Sequence, residues 1–109
     1  MPTPSLLEIT DANFDAEALR SPLPVLVDFT AAWCAPCRTI APHVEAIAAA
    51  YVGRLRVGQC DVEANPDLVA KLDVRCMPTL MVFKQGRVVA QLVGAAPRVK
   101  IEALVERFT

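Results

Sequence analysis

Cys34-Ala35-Pro36-Cys37 is the stretch of this sequence best equipped for chemistry. Thiolates are nucleophiles, and two thiols close enough to join can store and release two electrons as a disulfide. Three residues apart on a helix, the two sulfurs share one face and lie within bonding reach. The competing reading is half of a zinc site. Zinc ordinarily takes four ligands, and the sequence holds neither a second CxxC nor a CxxH. Cys60 and Cys76 stand well apart, and His43 is the sole histidine, expected on the outer face of its helix. The spacing favours thiol–disulfide exchange.

What precedes and follows the pair orders its two thiols. Val25, Leu26, Val27 and Phe29 form an apolar run interrupted by Asp28, which reads as a central strand buried on both faces. A helical pattern over 34–51 follows, carrying Ile40, Val44 and Ile47, with Pro42 expected to kink it. Cys34 then sits at a helix N-terminus, where unpaired N–H groups and the macrodipole favour a thiolate. Cys34 is the expected nucleophile. Cys37, one turn deeper, is the expected resolving thiol. Pro36 brings no N–H, so the thiolate has one donor fewer and the couple is biased toward reduction. Asp28 lies six residues before Cys34, and desolvation there raises its pKa and equips it for proton transfer near neutral pH. An acid at a wet strand end is the blander reading, but an unpaired buried acid is costly without a use.

The remaining elements follow from pattern and punctuation. A short strand is expected over 6–9, then a helix capped by Thr10 or Asp11 with Phe14, Ala18 and Leu19 on its apolar stripe. Ser21-Pro22-Leu23-Pro24 ends it. Gly53 closes the helix after the dithiol, and 55–62 reads as a strand. Asn65-Pro66 supplies a cap and a first-turn proline for a helix ending near Leu72. Strands over 79–84 and 88–93 flank the hairpin signal Gln85-Gly86. Pro97 opens a last helix with Val99, Ile101, Leu104, Val105 and Phe108 on its apolar side. The order βαβαβαββα predicts an α/β fold: a central mixed β-sheet, parallel early and antiparallel late, with α-helices on both faces. Cys60 reads as an apolar filler within its strand.

Composition bounds the function classes. The chain has 109 residues, which predicts one domain over 1–109. A 54% hydrophobic and 21% charged composition is that of a packed globule. A formal net charge of -1, with both signs scattered, gives no reason to expect nucleic acid or an anionic membrane as partner. No apolar run approaches the roughly 18 residues a membrane span needs. Residues 1–5 show neither a basic start nor an apolar core, so no export signal is expected there. Four cysteines without such a signal point to a reducing compartment, the cytoplasm by default.

Several separated motifs occur in one order: Val27-Asp28-Phe29, Ala32-Trp33-Cys34-Ala35-Pro36-Cys37-Arg38, Ala41-Pro42, Asn65-Pro66, Met77-Pro78-Thr79, Phe83-Lys84-Gln85-Gly86 and Val93-Gly94-Ala95. In these the chain resembles the thioredoxin family over almost its whole length. The resemblance implies a thioredoxin-like fold and reduction of disulfides in target proteins by a Cys34/Cys37 dithiol–disulfide cycle. It implies that Asp28 assists deprotonation of Cys37, that no cofactor is bound, and that an NADPH-dependent thioredoxin reductase regenerates a monomeric protein. Met77-Pro78 resembles the family's cis-proline loop beside the dithiol. Trp33, Ala35, Pro36, Met77, Pro78, Gly94 and Ala95 would then bind the target, with the Met77 backbone pairing to an extended segment.

Three positions depart from the family's pattern. Gln59 stands where many members have lysine near the buried acid, Ala35 replaces the usual glycine, and Thr30 replaces a frequent aromatic. Altered rate or poise is the expected consequence. Two rivals remain within the resemblance. A disulfide oxidase or isomerase of the same fold would carry a histidine between the cysteines and an export signal. A non-enzymatic binding module would need neither cysteine. Cys76, directly before Met77, is expected near the site, either as a plain small residue or as a modifiable thiol.

Overall fold

The structure, a computed structural model, describes residues 6–109. The reading of residues 1–5 lies outside them. The chain runs β1 (Leu6–Glu8), a π-helical turn (Asp15–Leu19), β2 (Val25–Thr30), α1 (Ala35–Ala50), β3 (Arg56–Asp61), α2 (Pro66–Leu72), β4 (Thr79–Lys84), β5 (Arg87–Val93) and α3 (Arg98–Glu106). The strands form one sheet in the order β1-β3-β2-β4-β5. β1 and β2 both pair parallel with β3, while β2–β4 and β4–β5 are antiparallel. The expected mixed sheet is present, with β2 at its centre.

Alternation along β2 splits the core in two. Leu26 faces a cluster with Ile40, Val44 and Ile47 of α1 and Ile101 and Val105 of α3. Val25, Val27 and Phe29 face the other cluster, with Phe14, Ala18, Leu68, Met81 and Phe83. β2 is therefore covered on both sides, as its apolar run requires. Gly58 of β3 sits where a side chain could not, because a Cβ there would lie 2.6 Å from Ile9 Cγ1. The β4–β5 hairpin turns through Gln85 and Gly86, both at positive φ (54° and 82°), which matches the twist of the strands it joins.

Three sequence expectations need correcting. The helix expected after Thr10 is a π-helical turn, closed by an Arg20 N–H bond to the Asp15 carbonyl. Thr10 does open this segment, its hydroxyl accepting from the Asn13 N–H at 3.1 Å. Asn65 precedes α2 but does not cap it. Its side chain accepts from the Asp11 N–H and donates to the Asp61 carbonyl, leaving Asp11 to accept from the Leu68 N–H at 2.9 Å. Val99 does not join the apolar side of α3: Ile101 and Val105 are buried, whereas Val99 is 71% exposed. Two residues are about 200° of helical rotation, so Val99 and Ile101 face opposite ways.

α1 matches its expected span, with Cys34 as N-cap and Tyr51 as C-cap, and it continues through Pro42. Its C-terminal end is tied to α3 by the Tyr51 hydroxyl, which donates to Glu106 at 2.6 Å. The helix that carries the dithiol is thus fixed at the end remote from it.

Candidate active site

The apolar strand β2 ends at Thr30, a short loop turns, and α1 begins at Ala35. This geometry delivers Cys34 to the mouth of the helix. Its N–H bonds back to the Ala31 carbonyl, and Arg38 Nη1 donates to the Ala32 carbonyl at 2.9 Å, pinning the loop from the first turn. Cys34 and Cys37 are joined as a disulfide with their Cα atoms 5.3 Å apart. The Cys37 N–H points at Cys34 Sγ at 3.2 Å. Proline occupies the second helical position, so the donor expected to be missing at Pro36 is missing, and Cys37 supplies the backbone donor at the Cys34 sulfur.

Both sulfur-bearing residues are almost wholly buried, and they share a small cluster with Ala31 on which Met77 and Val62 pack. The Met77-Pro78 peptide is cis. The Gly94 N–H bonds the Pro78 carbonyl at 2.8 Å, which holds the turn after β5 against the proline loop. Three segments distant in sequence therefore meet around the dithiol: 33–37, 77–78 and 94–95. Trp33 stands out from them at 62% exposure, and Ala35, Pro36 and Ala95 are exposed as well. Trp33 is an edge residue and not a core aromatic.

Asp28 is wholly buried in β2, and neither carboxylate oxygen has a hydrogen-bond partner among the described residues. Burial raises its pKa from 3.8 to about 6, with Gln59 acting in the opposite direction. Gln59 is directly opposite Asp28 in the β2–β3 register, placed to offer its amide to the carboxylate although no hydrogen bond between them is formed among the described residues. Asp28 and Leu26 alternate onto the same face of the sheet, the one covered by α1. A carboxyl group under the dithiol helix that titrates near neutral pH can take or give a proton there.

Beside this arrangement lies a solvent-open cleft of about 560 Å³ between β1, β3 and the first turns of α1. Its walls include Cys37 and Arg38 from α1, Glu8 from β1, and Gln59 and Asp61 from β3. No short-range pattern in the sequence points to it, because it depends on which strands are neighbours. The other two cysteines lie apart from this chemistry. Burial first, then the charges of Asp11 and Asp61, pushes the Cys60 thiol up to about 11, so it stays protonated. Cys76 is exposed at the start of the proline loop, and His43 is half-buried, less open than an outer helix face implies.

Comparison with known proteins agrees with the geometry. The family model described as Thioredoxin matches residues 5–107. Thioredoxin C-2 of Corynebacterium nephridii is 45% identical over 103 residues, covering 94% of this chain and 95% of that protein. Thioredoxin of Porphyra purpurea is 40% identical, with 95% and 97% covered, and thioredoxin of Alicyclobacillus acidocaldarius 43%, with 89% and 91% covered. With matches of this length and a redox disulfide at the mouth of α1, the chain belongs to the thioredoxin family and is a thiol–disulfide oxidoreductase.

Proposed function

We propose that Cys34 is the nucleophile of a protein-disulfide reductase, Cys37 its resolving thiol, and Asp28 the proton acceptor for Cys37. The observation that carries this reading is the Cys34–Cys37 disulfide across the first turn of α1, with Met77 packed on it. In the reduced protein the Cys34 thiolate attacks one sulfur of a target disulfide. That S–S bond breaks, a mixed disulfide forms, and the second target sulfur leaves as a thiolate that takes a proton from solvent. Cys37 then gives its thiol proton to Asp28 and attacks Cys34 Sγ. The mixed disulfide breaks, the target sulfur held on Cys34 leaves as a thiolate that also takes a proton from solvent, and the target, now a dithiol, has gained two electrons.

The helix mouth and the Cys37 N–H support the thiolate on Cys34, while Cys37 lies inside the first turn. Trp33, Ala35, Pro36, Met77, Pro78, Gly94 and Ala95 make the docking surface, and the Met77 backbone pairs with an extended target segment. Partners are disulfide-containing proteins and, for regeneration, an NADPH-dependent thioredoxin reductase. The protein works as a one-domain monomer in the cytoplasm with no bound cofactor. No described helix is long and apolar enough to cross a membrane.

Insulin reduction by dithiothreitol tests the assignment. Wild type accelerates it, while Cys34→Ser and Cys37→Ser abolish the acceleration. With a target disulfide, Cys37→Ser accumulates a mixed disulfide and Cys34→Ser does not. The reverse pattern would overturn the order of the two thiols.

A further inference from the structure

Asp28 must exchange a proton once per redox cycle, yet it has no exposed surface. Residues directly opposite one another across the sheet form a lateral row beneath α1: Glu8, Gln59, Asp28, Leu80 and Leu92. Toward β4 and β5 the row is apolar, through buried Leu80 and half-buried Leu92. Toward β1 it is polar, stepping from buried Asp28 to half-buried Gln59 and then to exposed Glu8. Gln59 and Glu8 both line the cleft that also reaches Cys37. The opposite approach, over Met77 and Pro78, is the one a docked target covers while the mixed disulfide waits to be resolved.

We infer that Gln59 is a positioning residue for the redox cycle: its amide links buried Asp28 to solvent in the cleft beside β1, so that the proton taken from Cys37 leaves sideways beneath the helix. This rests on the reading of Asp28 as proton acceptor. An amide suits the task because it both donates and accepts, and so can face a carboxylate or a carboxylic acid equally. The proton passes from Cys37 to Asp28 and then to a solvent molecule that Gln59 orients; the amide itself gains none. The groups facing Asp28 are Gln59 from β3 and Leu80 from β4, under the buried Cys37–Ile40 side of α1. The charged groups of the cleft are Glu8, Arg38 and Asp61 at its walls.

The test is single-turnover resolution of a mixed disulfide with a disulfide peptide, followed from pH 5 to 9 for the full-length protein. Gln59→Leu is expected to slow resolution about tenfold, part of the general-base contribution, and to leave the first attack by Cys34 unchanged. Gln59→Lys, which keeps a donor and adds a positive charge, is expected to restore the rate and move the inflection to lower pH. The shift follows from the added charge under either role; a side chain needed only for packing would not be replaced by lysine with the rate restored. In the Asp28→Asn background, Gln59→Leu is expected to add nothing. Resolution by Gln59→Leu at the wild-type rate and pH profile overturns the inference, as does an equal loss in the Asp28→Asn background. If Asp28→Asn slows resolution and Gln59→Leu does not, only the role of Gln59 falls; if Asp28→Asn changes nothing, the proton-acceptor reading falls with it.

Discussion

On one face of the sheet, Val25, Val27 and Phe29 pack with Phe14, Met81 and Phe83, and the buried polar groups on that side are satisfied. Thr79, opposite Phe29, donates its hydroxyl to the Cys76 carbonyl at 2.6 Å, and Asn65 makes two bonds. On the other face, Leu26, Val57 and Val82 pack beneath α1 and α3 in the same way until the row that holds Asp28. There a carboxyl group is buried with neither oxygen paired among the described residues. The same strands build both faces, so the difference is one of residue choice and not of architecture. The face with the unpaired acid gives up stability at the place where α1 presents a dithiol, the pattern expected of a site arranged for proton transfer.

The largest effect is expected on the satisfied face. Phe83 is 1% exposed and meets Phe14 edge-on with ring centroids 5.2 Å apart. Phe83→Ala removes most of a buried ring and is expected to cost about 4 kcal/mol in urea unfolding. Phe83 lies opposite Val25, at the far end of β2 from the dithiol, so insulin reduction by the folded variant should stay close to wild type. A large loss of activity per folded molecule would show that the two faces are not separable.

The interrupted face predicts the opposite sign. Asp28 keeps its proton to about pH 6 when folded but gives it up near 3.8 when unfolded. Between those values the unfolded chain binds fewer protons, so stability falls as pH rises through this window, by about 3 kcal/mol in all. Asp28→Asn cannot ionise and avoids that loss. It is expected to be more stable than wild type by up to about 3 kcal/mol at pH 7.5, with most of the gain gone at pH 3.5, while its resolving step slows. A gain of equal size at both pH values would mean that ionisation is not the cause.

Much of this was legible in the sequence because it is local. An apolar run followed by a helical pattern placed Cys34 at a helix mouth, and the isolated Asp28 within Val25–Thr30 announced a buried acid. Pro36 and Cys37 then fell where the first turn requires. What stayed hidden depends on register and on contacts distant in sequence. Nothing near Glu8 shows that it continues the row of Asp28, and Gln59 was placed beside that acid through resemblance alone; the row itself follows from β3 lying between β1 and β2. The meeting of Met77, Pro78 and Gly94 at the dithiol was reached through resemblance and not through any periodicity. Asn65 misled for a related reason: it has the chemistry of a cap, and long-range partners claim that chemistry first.

The smallest expected effect sharpens the comparison at the edge of the satisfied face, where α2 buries Leu68. If packing alone held α2, its first turn would tolerate loss of a distant carboxylate. The structure instead has Asp11, 57 residues away in sequence, accepting from the Leu68 N–H, while Asn65 accepts from the Asp11 N–H. Two loops are thereby closed on one another by reciprocal bonds. Asp11→Ala leaves the Leu68 N–H without its acceptor and is expected to cost about 1 kcal/mol, the ordinary value of a lost cap. Asp11→Asn retains an acceptor oxygen and should recover most of that loss. Amide hydrogen exchange at Leu68 is the direct measurement: it should quicken in Asp11→Ala, with exchange in β2 and in the first turn of α1 following only the small global loss. Equal quickening beneath the dithiol would mean that the cap of α2 supports the site through the sheet, and that the two faces share more than their strands.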